Sequence, residues 1–149
     1  MHIRIDNEYR MEFQTDLRPI IYAIKEHIEK LDWLISHHDF QYLNDIYDNR
    51  LNANESLIRI SGKELSEVIS KTKIQFIWGI FSGSRHLPKT ENLDTEKLGL
   101  KNYDPDAYVY DDAEIEIDCF DSSFTIIRTE NKQILDKLAE YFGEKINGS

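Results

Sequence analysis

Three carboxylates alternate with apolar residues in the last third of the chain, at Glu114, Glu116 and Asp118. Successive side chains of a β-strand point to opposite faces, so this spacing puts all three on one face, about 7 Å apart. Such a row could hold a cation or dock a positively charged protein surface. A solvated outer face of a hairpin is the other interpretation. A three-residue turn would put Arg128 opposite Glu116, whereas a two-residue turn would not.

The row belongs to an acidic stretch that also contains tyrosines. Residues 101–149 carry 12 acidic and five basic side chains, which is a net −7 of the chain's −10. Such a field attracts a cationic protein surface and repels nucleic acid and anionic membranes. Tyrosine is frequent among the residues that anchor protein interfaces. We therefore predict a surface that binds a basic protein, formed by Tyr103, Tyr108, Tyr110, Asp111, Asp112, Glu114, Glu116 and Asp118.

A second candidate site follows the most apolar segment of the chain. The guanidinium of Arg85 and the imidazole of His86, together with nearby hydroxyls and Gly83, could bind an anion. The polar stretch 82–106 is long for a loop, and long loops are often functional. The segment has neither a phosphate-loop spacing nor a nucleophile elbow. The alternative prediction is therefore a small enzyme or ligand-binding protein that uses a cleft beneath loop 82–106, while a plain turn leaving the core strand stays open too.

Metal and cofactor sites are not predicted. If Asp104 opened a calcium loop of the EF-hand type, Val109 would stand where that loop needs glycine. The pair His37-His38 has no second cluster of His or Cys to complete a zinc site. Cys119 lies on the apolar side of the alternating strand, and a buried thiol is not a nucleophile. No catalytic residue is predicted either.

The elements that position these residues follow from periodicity and turn signals, and they indicate one α+β domain over residues 1–149. We expect a mixed, mostly antiparallel sheet of five or six strands with about three helices. A capping box at Ser61 and Glu64 begins the middle helix. The predicted helices cover about 17–31, 62–72 and 131–145, with a short one near 42–47. The predicted strands cover 2–6, 33–35, 57–60, 74–81, 114–119 and 124–128, and residues 108–110 are a further short candidate.

Composition favours a cytoplasmic protein. The single Cys119 fits a reducing compartment. The chain opens without a basic segment followed by an apolar run, so no secretory signal is predicted. No apolar stretch reaches the roughly 18 residues that a membrane span needs. We therefore expect neither a membrane nor a nucleic acid as partner.

Three stretches resemble signature segments of small uncharacterised bacterial proteins. They are residues 60–65, 76–83 and 116–123, and the likeness covers about residues 33–142. The resemblance is to a family of unknown function and to immunity proteins that are encoded beside secreted polymorphic toxins. It implies a cytoplasmic antidote that binds and blocks one toxin domain, and it supplies no catalytic residues that could be assigned to this chain.

Overall fold

The computed structural model describes residues 1–6, 10–87, 89 and 103–148. The helices in this part of the chain are α1 (Arg18–Ala23), α2 (Lys25–Glu29), α3 (Gly62–Lys71) and α4 (Lys132–Phe142). The strands are β1 (His2–Ile5), β2 (Asp32–Tyr42), β3 (Leu57–Ser61), β4 (Ile74–Ser84), β5 (Ile115–Phe120), β6 (Phe124–Thr129) and β7 (Ile146–Asn147). The predicted α+β class is confirmed. Most of loop 82–106 lies outside the described residues, and residues 82–84 are the end of β4.

All seven strands form one sheet in the order β3-β2-β4-β5-β6-β1-β7. Every neighbouring pair is antiparallel, so the predicted mixed sheet is wrong on this point. The sheet has more strands than the five or six predicted, because β7 adds two residues beside β1, with Ile3 opposite Ile146. The described helices number four rather than about three. The predicted first helix is interrupted at Ile24, whose φ of −126° and ψ of 29° are not helical.

One face of the sheet packs against the helices. The apolar stripe of the first helical region is buried as predicted, and it meets apolar side chains from the middle of the sheet. Ser61 caps α3 by accepting a hydrogen bond from the Glu64 amide at 3.2 Å, which confirms the hydroxyl half of the predicted capping box. The Glu64 carboxylate accepts from the Ser61 hydroxyl at 2.9 Å and not from a backbone amide as predicted. The buried sheet residues on this face include Ile3, Trp33, Ile35, Phe76, Phe81, Ile117, Cys119 and Ile127.

Strand β2 is much longer than the predicted 33–35. His37 has a φ of 52°, and the pairing with β4 shifts between Ser36 and Asp39. This bulge changes which side chains face the core, so the alternation breaks while the strand continues to Tyr42. The short helix expected near 42–47 is wrong, because residues 43–47 form an irregular loop.

The other face of the sheet is crossed by residues 103–113, which we call the covering segment. Tyr110 and Ala113 pack on Leu34 of β2 and form a small second apolar cluster. The strand expected at 108–110 is wrong, because these residues pair with no strand of the sheet. Within the described ranges, no helix is long and apolar enough to cross a membrane.

Candidate functional site

A buried guanidinium ties β5 and β6 to the covering segment. Arg128 Nη1 lies 2.6 Å from Glu116 Oε1 and 3.2 Å from Asp118 Oδ2. Arg128 also donates from Nη2 to Tyr103 Oη and from Nε to the Pro105 carbonyl, both at 2.6 Å. The Arg128, Glu116 and Asp118 side chains are all 0% exposed. This cluster is therefore part of the interior.

The hairpin register brings these charges together. Phe120 pairs with Phe124, so the turn contains the three residues 121–123, and Glu116 then falls opposite Arg128. The first two turn residues have positive φ values of 48° and 52°, as a tight turn requires. Of the two registers that the sequence allowed, the one that faces Glu116 with Arg128 is confirmed.

Glu116 also organises the backbone of the covering segment. Its carboxylate accepts hydrogen bonds from the Val109 amide at 2.9 Å and the Tyr110 amide at 3.1 Å. Ser82 Oγ donates to the same carboxylate at 3.3 Å. Buried amides without partners are costly, so Glu116 satisfies groups that the segment cannot satisfy by itself.

Two buried carboxylates share one guanidinium, which leaves an excess negative charge. Burial, and then the neighbouring Glu116 charge, raise the pKa of Asp118 well above its ordinary value. Burial also raises the pKa of Glu116, against the hydrogen bonds that its carboxylate accepts. Asp118 Oδ1 is buried and has no hydrogen-bond partner in the part of the chain that the structure describes. The pair therefore favours retaining a proton under conditions where an exposed aspartate has lost it.

The row of Glu114, Glu116 and Asp118 is therefore not a solvent-exposed face of the sheet. The row does share one face, but Glu116 and Asp118 are sealed beneath the covering segment. Glu114, at the start of the row, pairs with Arg85 at 2.8 Å. Burial acts to raise the pKa of Glu114, but the hydrogen bonds from Arg85 outweigh it and leave this pKa lowered. The negative field of the row is thus partly neutralised within the chain, which reduces what it could offer a partner.

The remaining residues of the predicted partner surface divide between interior and solvent. Tyr110 is buried, and Tyr103 and Tyr108 are half-buried on the inner side of the covering segment. Burial raises the pKa of both Tyr103 and Tyr108. Asp111 and Asp112 are exposed, and neither forms an ion pair with a described residue. Within the described residues, Asp111 and Asp112 are thus the accessible and unpaired carboxylates of the predicted set.

A cleft of about 760 Å³ opens where α2 and α4 approach the adjoining ends of β5 and β6. Arg85, Glu114 and Tyr108 line it, together with Lys30 and His27 of the α2 region. This cleft adjoins the end of β4, where the alternative site was expected. Of the two residues predicted for that site, Arg85 contributes and His86 is not among the lining residues that the structure describes.

Sequence reasoning missed one surface. We call residues 43–47 the apolar loop, because Leu43 is 40%, Ile46 50% and Tyr47 67% exposed. Among the described residues, the only other large hydrophobic side chain exposed to this degree is Tyr22. The signal was present in the sequence as three large apolar residues within a turn-rich stretch, where a helix had been expected.

Across the described residues, no three His, Cys, Asp or Glu side chains are grouped so that they could hold a metal ion. Comparisons of the chain with protein-family models, with curated proteins and with solved structures found no match. The resemblance to immunity proteins therefore stays a prediction from the sequence.

Proposed function

We propose that the chain is a protein-interaction module that binds a basic protein, of the immunity type that its sequence resembles. The observation that carries the proposal is the apolar loop, which exposes three large apolar side chains within five residues. A few such side chains, tyrosine among them, supply most of the energy of a protein interface. Clustered apolar exposure on a protein of this size is typical of an interaction site.

The apolar loop is held in one shape before any partner arrives. The Tyr42 hydroxyl contacts the carbonyls of Asp48 at 2.8 Å and Leu51 at 3.1 Å. The ring of Tyr47 packs edge-on against Tyr42 with 4.9 Å between centroids. The Leu43 amide donates to the Lys73 carbonyl at 2.7 Å. A preorganised loop loses little conformational entropy on binding, which favours affinity.

Charged side chains lie in and beside the apolar loop. Asp48 is neutralised by Arg50 at 2.7 Å and by Lys71 at 3.2 Å. Asp39 and Asp45 are exposed and make no ion pair with the part of the chain that the structure describes. Together with the net charge of −10, these carboxylates favour a cationic partner and raise its association rate.

The test uses the protein product of the neighbouring open reading frame, purified and titrated against the chain. Ile46→Asp combined with Tyr47→Ser is expected to weaken binding about 100-fold, because two anchors are lost. Tyr22→Ser is the matched control, since Tyr22 is 74% exposed but lies on α1. Its affinity should stay within about twofold. Equal affinities for the two variants, or no binding by the unmodified chain, would overturn the proposal.

The electrostatic part of the proposal has its own test. Asp111→Ser with Asp112→Ser removes the two accessible carboxylates of the predicted acidic surface. We expect a several-fold lower association rate at low salt, a weaker salt dependence and a nearly unchanged dissociation rate. An unchanged association rate would show that these carboxylates do not steer the partner.

A further inference from the structure

We propose that the cleft between α2 and α4 binds a small amphipathic anion. Its apolar body would lie on the cleft floor, and its single acidic group would meet the ammonium of Lys30. The cleft has no residue in common with the apolar loop, so this inference is independent of the proposed protein partner.

The floor of the cleft is apolar. Leu31 follows α2, Ile115 begins β5 and Ile134 lies in the first turn of α4, and all three belong to the main core. Ala113 and Tyr108 of the covering segment complete the apolar lining. Ligand pockets typically combine such a floor with a few polar groups, within about 300–1,000 Å³. The volume of about 760 Å³ therefore suits a small organic molecule rather than an ion alone.

Lys30 is the cation of the cleft lining that has no described ion pair. Glu114 is paired with Arg85, and Glu130 lies 3.7 Å from the N-terminal amino group. Lys30 forms no ion pair with any described carboxylate and is exposed. An exposed ammonium beside an apolar floor matches a ligand that carries one negative charge.

The other polar groups at the cleft favour the same ligand class. His27 is neutral at pH 7, because burial, and then the Lys137 charge, lower its pKa. It therefore offers a hydrogen bond without adding charge. Arg85 uses Nε and Nη2 on Glu114, and its Nη1 group donates to no residue that the structure describes. That group can supply a second contact to an acidic group near Lys30.

The wall of the cleft is formed without a ligand. Thr129 Oγ1 donates to the Glu114 carbonyl at 2.8 Å and accepts from the Asn131 amide at 3.1 Å. Its hydroxyl is thus satisfied inside the protein. A ligand would gain its energy from the apolar floor and from Lys30, and not from completing an unfinished hydrogen-bond network.

The experiment uses 8-anilinonaphthalene-1-sulfonate, a fluorescent anion with two apolar ring systems. We expect saturable one-to-one binding to the folded chain and displacement by octanoate but not by octanol. Lys30→Gln should raise the dissociation constant about tenfold, since one charge-assisted contact is lost. Lys63→Gln is the matched control, because Lys63 is an exposed lysine of α3 outside the cleft, and its dissociation constant should not change.

Two further measurements locate the probe and test the need for charge. Amide chemical shifts should move at Tyr108, Ala113 and Ile134 and stay unchanged at the apolar loop. N-phenyl-1-naphthylamine has the same rings without the sulfonate, so it should bind more weakly and ignore Lys30→Gln. Equal binding by Lys30→Gln and Lys63→Gln, equal affinity for the neutral probe, or shifts confined to other surfaces would each overturn the proposal.

Discussion

Arg128 Nη1 lies 2.6 Å from Glu116 Oε1, and neither side chain has any exposed surface. Desolvating two charges is costly, and a good geometry with further hydrogen bonds is needed to offset that cost. Arg128 meets this condition through contacts to Tyr103 and Pro105, while Glu116 does so through the Val109 and Tyr110 amides. The pair therefore fixes the covering segment to the sheet and belongs to the fold rather than to a surface.

Arg128→Met is expected to destabilise the fold strongly. It leaves Glu116 and Asp118 buried without a cation, so the free energy of unfolding should fall by about 3–5 kcal/mol at pH 7. Urea denaturation measures this change. Arg4→Met is the control, because Arg4 is half-exposed and pairs with Asp6 at the surface. Arg4→Met should lower the free energy of unfolding by less than about 1 kcal/mol. Similar decreases in both variants would contradict the structural role of Arg128.

Asp118→Asn should reveal the raised pKa of Asp118 through the pH dependence of stability. A carboxyl whose folded pKa is raised stabilises the fold fully below its unfolded pKa, near 3.8, and loses that contribution as pH rises through the folded value. Asparagine does not ionise. The free energy of unfolding of the variant relative to the unmodified chain should therefore rise from about pH 4 and level off once the pH exceeds the folded pKa of Asp118.

The control for this experiment is Asp111→Asn, which changes an exposed carboxylate that makes no described ion pair. Its difference in unfolding free energy from the unmodified chain should show little of that rise. Urea titrations at each pH supply both series. A flat difference for Asp118→Asn would mean that Asp118 ionises normally in the folded chain.

Local patterns in the sequence were sufficient for much of the sheet. The alternation at 114–119 predicted both the strand and the inward position of Cys119, because period-two spacing reports which residues share a face. The breakers at 121–123 predicted the hairpin. Periodicity does not show whether another segment of the chain covers a given face of the sheet. Glu116 and Asp118 are buried because the covering segment, which has no regular repeat, folds back onto them.

The elements that the sequence did not predict depend on contacts between residues that are far apart in the chain. The last two strand residues, Ile146 and Asn147, pair with the N-terminal strand across almost the whole chain. The second half of β2 follows a bulge at His37, which interrupts the alternation that would have revealed it. The sequence predicted Arg85 for a cleft beneath loop 82–106, and most of that loop lies outside the described residues. Lys30 and Ile134 meet at the observed cleft only through the packing of two helices.

Cys119 should be unreactive until the protein unfolds. Burial, and then the Asp118 charge, raise the pKa of its thiol. In the folded state the thiol is therefore buried and protonated, and it cannot act as a nucleophile. With a chromogenic disulfide reagent at pH 8, the folded chain should react no faster than it unfolds. A Ser123→Cys variant carries a second thiol in the exposed turn, and that thiol should react at once. Rapid reaction of the unmodified folded chain would show that β5 opens.

Asp48→Asn tests whether the apolar loop is held in shape by its charged support. The Arg50 guanidinium is the main cause of the lowered pKa of Asp48, so the carboxylate is ionised and paired at neutral pH. Asparagine keeps the size of the side chain but loses both ion pairs. The Leu51 amide, which donates to the Asp48 carbonyl at 3.1 Å, should then exchange its hydrogen about tenfold faster.

The matched change for that measurement is Asp45→Asn, at an exposed position of the same loop that makes no ion pair with described residues. In Asp45→Asn the hydrogen-exchange rate of the Leu51 amide should not change, because this variant removes no described ion pair. If binding of the basic partner depends on preorganisation, Asp48→Asn weakens it without altering Ile46 or Tyr47, whereas Asp45→Asn changes mainly the association rate. Faster exchange combined with unchanged affinity would separate the rigidity of the loop from its use as an anchor.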